Sequence, residues 1–173
     1  MKLNFKELLQ NVKAFAFDVD GVFSNNVLLH PSGELLRTMN IKDGFAVQYA
    51  VKKGYPMAII TGGNSEAVRS RFKNLGISDI YLKSQNKIVD FNDFLLRNQL
   101  KPDEILYMGD DLPDYEIMKR VGVPTCPADA VAEIKDISVY ISHKTGGEGC
   151  VRDVIEQVLR VQDKWMHPEA LTW

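Results

Sequence analysis

The stretch Phe15-Ala16-Phe17-Asp18-Val19-Asp20-Gly21-Val22 decides the fold of this chain. Ala14 to Phe17 is a short, unbroken apolar run, the pattern of a strand buried on both faces of a parallel sheet. Asp18 and Asp20 follow at the strand's C-terminal end, where open α/β sheets bind their ligands. Two carboxylates this close repel each other, so the pair calls for a positive partner. A hard divalent cation with oxygen ligands meets that demand. Gly21 lets the chain turn sharply and approach a ligand closely.

Outward from this strand, the rest of the chain keeps a strand–helix rhythm. Before it, Leu3, Phe5, Leu8, Leu9 and Val12 recur at helical spacing. After it, residues 23–39 break the rhythm. Asn25-Asn26 and Pro31-Ser32-Gly33 are turn signals, and Val27-Leu28-Leu29 and Glu34-Leu35-Leu36-Arg37 read as the two strands of a hairpin flap near the site. Its apolar residues must face something, and another subunit is one candidate. A helix is expected to start at Asp43-Gly44 and to end at Gly54. Tyr55 to Ile60 is a second buried strand, ending in Thr61-Gly62-Gly63. Asn64 or Ser65 caps a helix through Leu75. Further strands are predicted at Ile80–Leu82, Ile105–Met108, from Val123 and at Val139–Ile141, and further helices at 86–98, 113–121 and 151–161. Gly146-Gly147-Glu148-Gly149 reads as a mobile loop. This alternation predicts an α/β fold with a mostly parallel sheet, in a single domain spanning 1–173.

Bulk properties narrow the class. The chain has 173 residues, a net charge of −2 and 45% apolar residues, which is ordinary for a folded domain and argues against disorder. Nothing in this charge balance calls for nucleic acid or a membrane surface. Two cysteines, Cys126 and Cys150, do not make a disulfide framework, no apolar run approaches a membrane span, and Lys2 to Val12 is unlike a signal peptide. Together they predict a cytoplasmic protein.

Three predicted strands end in polar residues at one edge of the sheet: Asp18 and Asp20, then Thr61, then Asp110 and Asp111. Lys87 opens the helix that follows the predicted strand Ile80–Leu82. Singly, each has a plain structural reading: a capping threonine, a surface lysine, an Asp-rich turn, and in Asp114 an acid that favours a helix N-terminus. Jointly they describe phosphoryl chemistry. Carboxylates gather Mg²⁺, which favours a few protein oxygens together with water and substrate phosphate. One carboxylate can attack phosphorus, and a second acid can protonate the leaving oxygen and then deprotonate water. A lysine and a hydroxyl can hold the phosphoryl oxygens.

Asp18-Val19-Asp20-Gly21-Val22, Thr61-Gly62, Lys87, and Gly109-Asp110-Asp111 with Asp114 resemble the four motifs of haloacid dehalogenase superfamily phosphatases. The resemblance implies a Rossmann-like parallel sheet with helices on both faces. It implies that Asp18 is the nucleophile and a metal ligand, and that Asp20 is the general acid/base with its backbone carbonyl on the metal. Thr61, Gly62 and Lys87 would bind phosphate, and Asp110 would complete the Mg²⁺ ligands, supported by Asp111 and Asp114. A narrower resemblance rests on the lack of a cap domain, the flap, Ile41-Lys42-Asp43-Gly44, Ile59-Ile60-Thr61-Gly62, Asn74-Leu75-Gly76-Ile77 and Gly146-Gly147-Glu148-Gly149-Cys150-Val151-Arg152. These are similar to 3-deoxy-D-manno-octulosonate 8-phosphate phosphatases, and the similarity spans nearly the whole length. It implies a capless homotetramer in which neighbouring flaps help enclose the site and the C-terminal tail, with its two tryptophans, contributes to closure. The implied substrate is a sugar acid phosphate, and the implied product serves lipopolysaccharide synthesis. One departure stands out. An arginine that often follows Thr-Gly and helps hold the sugar acid is replaced here by Gly63. Arg69, Arg71, Lys144 and Arg152 are the candidate replacements. Nonulosonate 9-phosphates are the alternative substrates. A non-catalytic assembly module and a phosphotransferase are the readings from other classes. The intact motif residues speak against the module, and the small flap speaks against the phosphotransferase.

Overall fold

The structure is a computed structural model, and it describes residues 4–168. Its centre is a six-stranded, all-parallel sheet in the order β5-β4-β1-β6-β7-β8. The strands are β1 (Ala14–Phe17), β4 (Met57–Ile60), β5 (Asp79–Tyr81), β6 (Ile105–Met108), β7 (Val123–Cys126) and β8 (Tyr140–Ile141). All four residues of β1 are buried, as the apolar run requires of a central strand.

Alternation along β1 sorts the core into two layers. Phe15 and Phe17 pack into one, with helices α1 (Phe5–Leu9), α2 (Ile41–Lys52), α3 (Glu66–Asn74) and α7 (Cys150–Val161). Ala14 and Ala16 face the other, with α4 (Lys87–Asn98), α5 (Tyr115–Met118) and α6 (Ala132–Ile137). The small face is complementary to the large one. Ala14, Ala16 and Ala58 leave room for Phe91 and Phe94 from α4, and all five are fully buried.

The local signals behave as their chemistry demands. Asn4 and Glu7 form a capping box on α1. Ser65 caps α3 through the Val68 N–H. α2 begins earlier than Asp43, at Ile41, because the Asn40 side chain accepts from the Lys42 N–H and already caps it. That frees Asp43 for a different task. Its Oδ1 accepts from the Arg152 N–H at 2.7 Å, in the first turn of α7, whose own N-cap is Gly149 and has no side chain to offer. Residues 113–121 form less helix than the sequence predicts. A 3-10 turn over Leu112–Asp114 precedes α5, which is a single turn.

The flap is as expected: β2 (Val27–Leu29) pairs antiparallel with β3 (Leu35–Arg37), apart from the main sheet. The loop over Gly146–Gly149 differs from the expectation of mobility. Gly147 N–H donates to the Val22 carbonyl at 2.8 Å, Gly146 N–H to Asp129 Oδ1 at 2.9 Å, and the Cys150 thiol to the Val22 carbonyl at 3.2 Å. A Cβ on Gly146 would overlap the Gly21 carbonyl, so glycine is there for backbone contact. Of the tail, Trp165 packs edge-on to Tyr49 beneath the guanidinium groups of Arg152 and Arg160. Trp173 lies outside the described residues.

Candidate active site

Adjacency of β4, β1 and β6 brings their C-terminal ends together, and the polar residues that follow each strand meet there. Asp18 directly follows β1, Thr61 directly follows β4, Asp110 lies two residues beyond β6, and Lys87 is the first residue of α4 after β5. Thr61 faces a small space with Arg37 and Gly63. Beside it, Asp18 and Asp110 border a larger cleft of about 400 Å³ that is lined also by Asp20, Asn25, Asp111 and Asp129.

At its floor, Lys87 Nζ lies 3.0 Å from Asp18 Oδ1 and 2.7 Å from Asp114 Oδ1. Asp114 is fully buried and accepts from three donors. Lys87 and the Tyr107 hydroxyl (2.6 Å) share Oδ1, and the Asp110 N–H reaches Oδ2 at 3.2 Å. Asp114 thus ties together the lysine, a β6 side chain and the backbone of the next acid. Two glycines make the crowding feasible. A Cβ on Gly21, whose φ is +87°, would overlap the Asp110 carboxylate, and one on Gly109 would overlap Asp114.

Electrostatics show what the site lacks. Carboxylate oxygens of Asp18, Asp110 and Asp114 lie within 4.8 Å of one another, and among the described residues Lys87 is the cation paired with them. Burial, and next the charge of Asp114, push the Asp18 carboxyl well above its ordinary range. The same two causes raise Asp110 to about 7. Burial alone would lower Lys87, but the charges of Asp18 and Asp114 outweigh it and leave the ammonium more firmly protonated than usual. The site therefore holds more negative charge than its own side chains offset. An oxygen-only donor set with uncompensated charge fits a hard divalent cation such as Mg²⁺.

The remaining residues from the sequence fall into place unevenly. Thr61 is buried, and its Oγ1 accepts from the Gly63 N–H at 3.1 Å. Gly62 is exposed at the mouth, with ordinary space for a Cβ. Asp111 is exposed and caps the 3-10 turn through the Leu112 N–H, at the rim of the cleft. Asp20 stands apart from the three clustered acids and is gripped by Arg37 of the flap through two hydrogen bonds, at 2.6 and 2.9 Å. Arg37, Tyr107 and Asp129 carried no motif signal. The cations considered as replacements at Gly63 are spread over the fold, and Arg71 is the one of them that lines a cavity together with Arg37. Arg69 donates to the Ile80 carbonyl at 3.1 Å, Arg71 lies against Gly44, and Lys144 and Arg152 border a separate cleft beside α7.

A lysine-bridged carboxylate cluster at the C-terminal edge of a parallel sheet, with a threonine beside it, defines a haloacid dehalogenase-type hydrolase. The sequence model of haloacid dehalogenase-like hydrolases matches residues 76–155. The 3-deoxy-D-manno-octulosonate 8-phosphate phosphatase of Salmonella typhi is 35% identical over 156 residues, covering 90% of this chain and 83% of that one. The chain belongs to the 3-deoxy-D-manno-octulosonate 8-phosphate phosphatase family. Solved structures agree. The Yersinia pestis phosphatase of that name superposes with a TM-score of 0.90 at 32% identity, covering 92% of this chain and 86% of that one. The Moraxella catarrhalis phosphatase, solved in complex with a magnesium ion, a phosphate ion and a KDO molecule, gives a TM-score of 0.89 at 31% identity, covering 92% of each chain.

Proposed function

We propose that this chain hydrolyses 3-deoxy-D-manno-octulosonate 8-phosphate to the free sugar acid and phosphate, as its family does. The observation that carries the reading is the Asp18–Lys87–Asp114 arrangement, with Asp110 alongside, at the end of β1. It supplies a nucleophile, a phosphoryl-binding cation and a set of metal ligands within one cleft. Asp18 Oδ attacks phosphorus, the sugar oxygen leaves, and Asp20 gives that oxygen its proton. A water then attacks the aspartyl phosphate, its proton goes to Asp20, and Asp18 is released with inorganic phosphate. Lys87 and Thr61 hold the phosphoryl oxygens as charge moves onto them. Asp114 fixes Lys87 from behind and positions the Asp110 backbone, and Asp111 shapes the rim. Mg²⁺, held by the Asp18 and Asp110 carboxylates and the Asp20 carbonyl, supplies positive charge that offsets the clustered acids and the phosphoryl group.

The working form we assign is a homotetramer joined through the flaps, supported by the exposed apolar residues of β2 and β3. We assign it to the cytoplasm, where its two unpaired thiols are at home, and to the supply of the sugar acid for lipopolysaccharide synthesis. The test is phosphate release with Mg²⁺ on the octulosonate 8-phosphate beside a nonulosonate 9-phosphate. The octulosonate ester is expected to have the higher kcat/KM, and preference for the nonulosonate would move the protein to another substrate. Asp18→Asn is expected to lower turnover by at least about a thousandfold while leaving the melting transition cooperative. Retained turnover in that variant would exclude the covalent route.

A further inference from the structure

Arg37 ends β3 on the flap and reaches back into the cleft. Its Nε donates to Asp20 Oδ1 at 2.6 Å and its Nη2 to Oδ2 at 2.9 Å, while Nη1 donates to the flap's own Leu35 carbonyl at 3.2 Å. Both carboxylate oxygens of the proton-transferring residue are therefore taken. The Arg37 side chain is only 6% exposed although the other residues of β2 and β3 are open to solvent. It fits because residue 63 is glycine. A Cβ there would lie 3.1 Å from Arg37 Nη2 and 3.5 Å from Asp20 Oδ2, so any longer side chain would contest the space the guanidinium fills.

This pairing cannot persist through turnover. The leaving oxygen must reach an Asp20 oxygen, and the bidentate fork occupies both. Arg37 must let go of at least one, and the freed carboxylate then takes from solvent the proton it gives to the leaving oxygen, yet a largely buried guanidinium that loses its anion without replacement carries a heavy desolvation penalty. What releases it must be another anion that presents two oxygens to the fork, and with the phosphoryl group held by Lys87 and Thr61 that anion is a carboxylate of the substrate. Space for one adjoins the pair. A cavity of about 250 Å³ between the flap and α3 is bordered by Arg37, Arg71 and Ser65, together with Glu34 and apolar side chains of both elements, and Arg37 links it to Asp20. A phosphate ester whose far end carries a carboxylate can place its phosphoryl group on Lys87 and its carboxylate in this cavity.

We infer that Arg37 is the specificity-determining residue of this enzyme: it is parked on Asp20 in the free protein and transfers to the substrate's carboxylate, which both selects acidic phosphate esters and frees Asp20. The inference rests on the phosphatase reading above. An ester without a carboxylate cannot make the exchange, so it meets an Asp20 that is still clamped.

The experiment compares kcat/KM of the wild type, Arg37→Ala and Arg37→Lys with Mg²⁺ on the octulosonate 8-phosphate and on sorbitol 6-phosphate, an alkyl ester without a carboxylate. In Arg37→Ala the acidic ester is expected to lose about 100-fold or more, the size of effect seen when one partner of a buried charged pair is removed. The neutral ester is expected to gain, because Asp20 is released. Arg37→Lys keeps the charge without the fork and is expected to recover part of the acid preference. A purely structural Arg37 predicts equal losses on both esters, and that outcome, or no loss on either, overturns the inference. Failure of the substrate reading looks different: the wild type would cleave p-nitrophenyl phosphate but not the octulosonate ester. The exchange is then judged on gluconate 6-phosphate against sorbitol 6-phosphate, which differ in the acid group alone. A ratio unmoved by Arg37→Ala overturns it there too, and a ratio that collapses supports it.

Discussion

Asp114 contributes to this site chiefly by what it holds. Lys87 could swing over a wide arc on its four-carbon stem, but a fully buried carboxylate fixes its far end next to Asp18. Tyr107, buried in β6, shares the same oxygen and so fixes Asp114 in turn. Burial and the charge of Asp114 hold the Tyr107 phenol well above its ordinary range, so it stays a donor at every working pH. Tyr107→Phe removes that donor and leaves the packing of the ring almost unchanged. Loss of a buried hydrogen bond to a charged group predicts a stability decrease of about 1–3 kcal/mol. Turnover on any phosphate ester is expected to fall about tenfold through kcat, because the group lost is remote from the substrate's sugar. Urea unfolding together with steady-state kinetics checks both, and an effect confined to KM would contradict the positioning role.

At the scale of elements, the deciding feature is how α7 is tied to α2 and to the Asp-Gly turn. Asp43 caps the first turn of α7 across 109 residues of sequence, and the 146–150 loop fastens the Gly21–Val22 backbone from the other side. Asp43 is completely buried, and its Oδ2 has no partner among the described residues. Burial, opposed by its backbone hydrogen bonds, raises its carboxyl from 3.8 to about 6. The folded state therefore binds this proton more tightly than the unfolded chain. The stability it contributes is complete below about pH 4 and is lost as pH rises through about 6, by an amount on the order of 2–3 kcal/mol. Asp43→Asn keeps an acceptor for the Arg152 N–H and removes the titration. Subtracting its unfolding free energy from that of the wild type, between pH 4 and 7, is expected to isolate this downward slope. Parallel pH profiles for the two proteins would refute the assignment.

For the whole molecule, two surfaces remain to be satisfied. One is the flap, where Leu29 is 82% exposed and Ile41, at its base, is 74% exposed. Apolar residues so placed predict association of copies through the hairpins. Light scattering is expected to report four chains, and Leu29→Asp to shift the population toward smaller species. A wild-type mass of 19.6 kDa would remove the argument. The other is the carboxylate cluster. Chelation is expected to abolish phosphate release and to lower the thermal midpoint. Added Mg²⁺ is expected to restore both, because a cation that binds only the folded state stabilises it by mass action. An unmoved midpoint in chelator would argue against the acids as its site.

The sequence by itself determined the order of strands and helices, the parallel sheet and the convergence of Asp18, Thr61, Lys87 and Asp110 on one edge. These follow from short-range patterns. An apolar run ends in a polar residue, and parallel strands joined by helices bring all such ends to the same side. The hairpin was legible for the same reason, through its turn residues. Some helix bounds were not. Asn40 outcompeted Asp43 as a cap, and Asp43 was spent on a helix more than a hundred residues away. Tertiary structure alone decided which carboxylates cluster, which cation guards Asp20, and why Gly146 must be glycine. Arg37 meets Asp20 and Gly63 only because the flap folds back over the sheet, and Gly146 meets Gly21 only because α7 docks beside β1. Such contacts depend on where elements pack, and residue spacing along the chain carries no record of that.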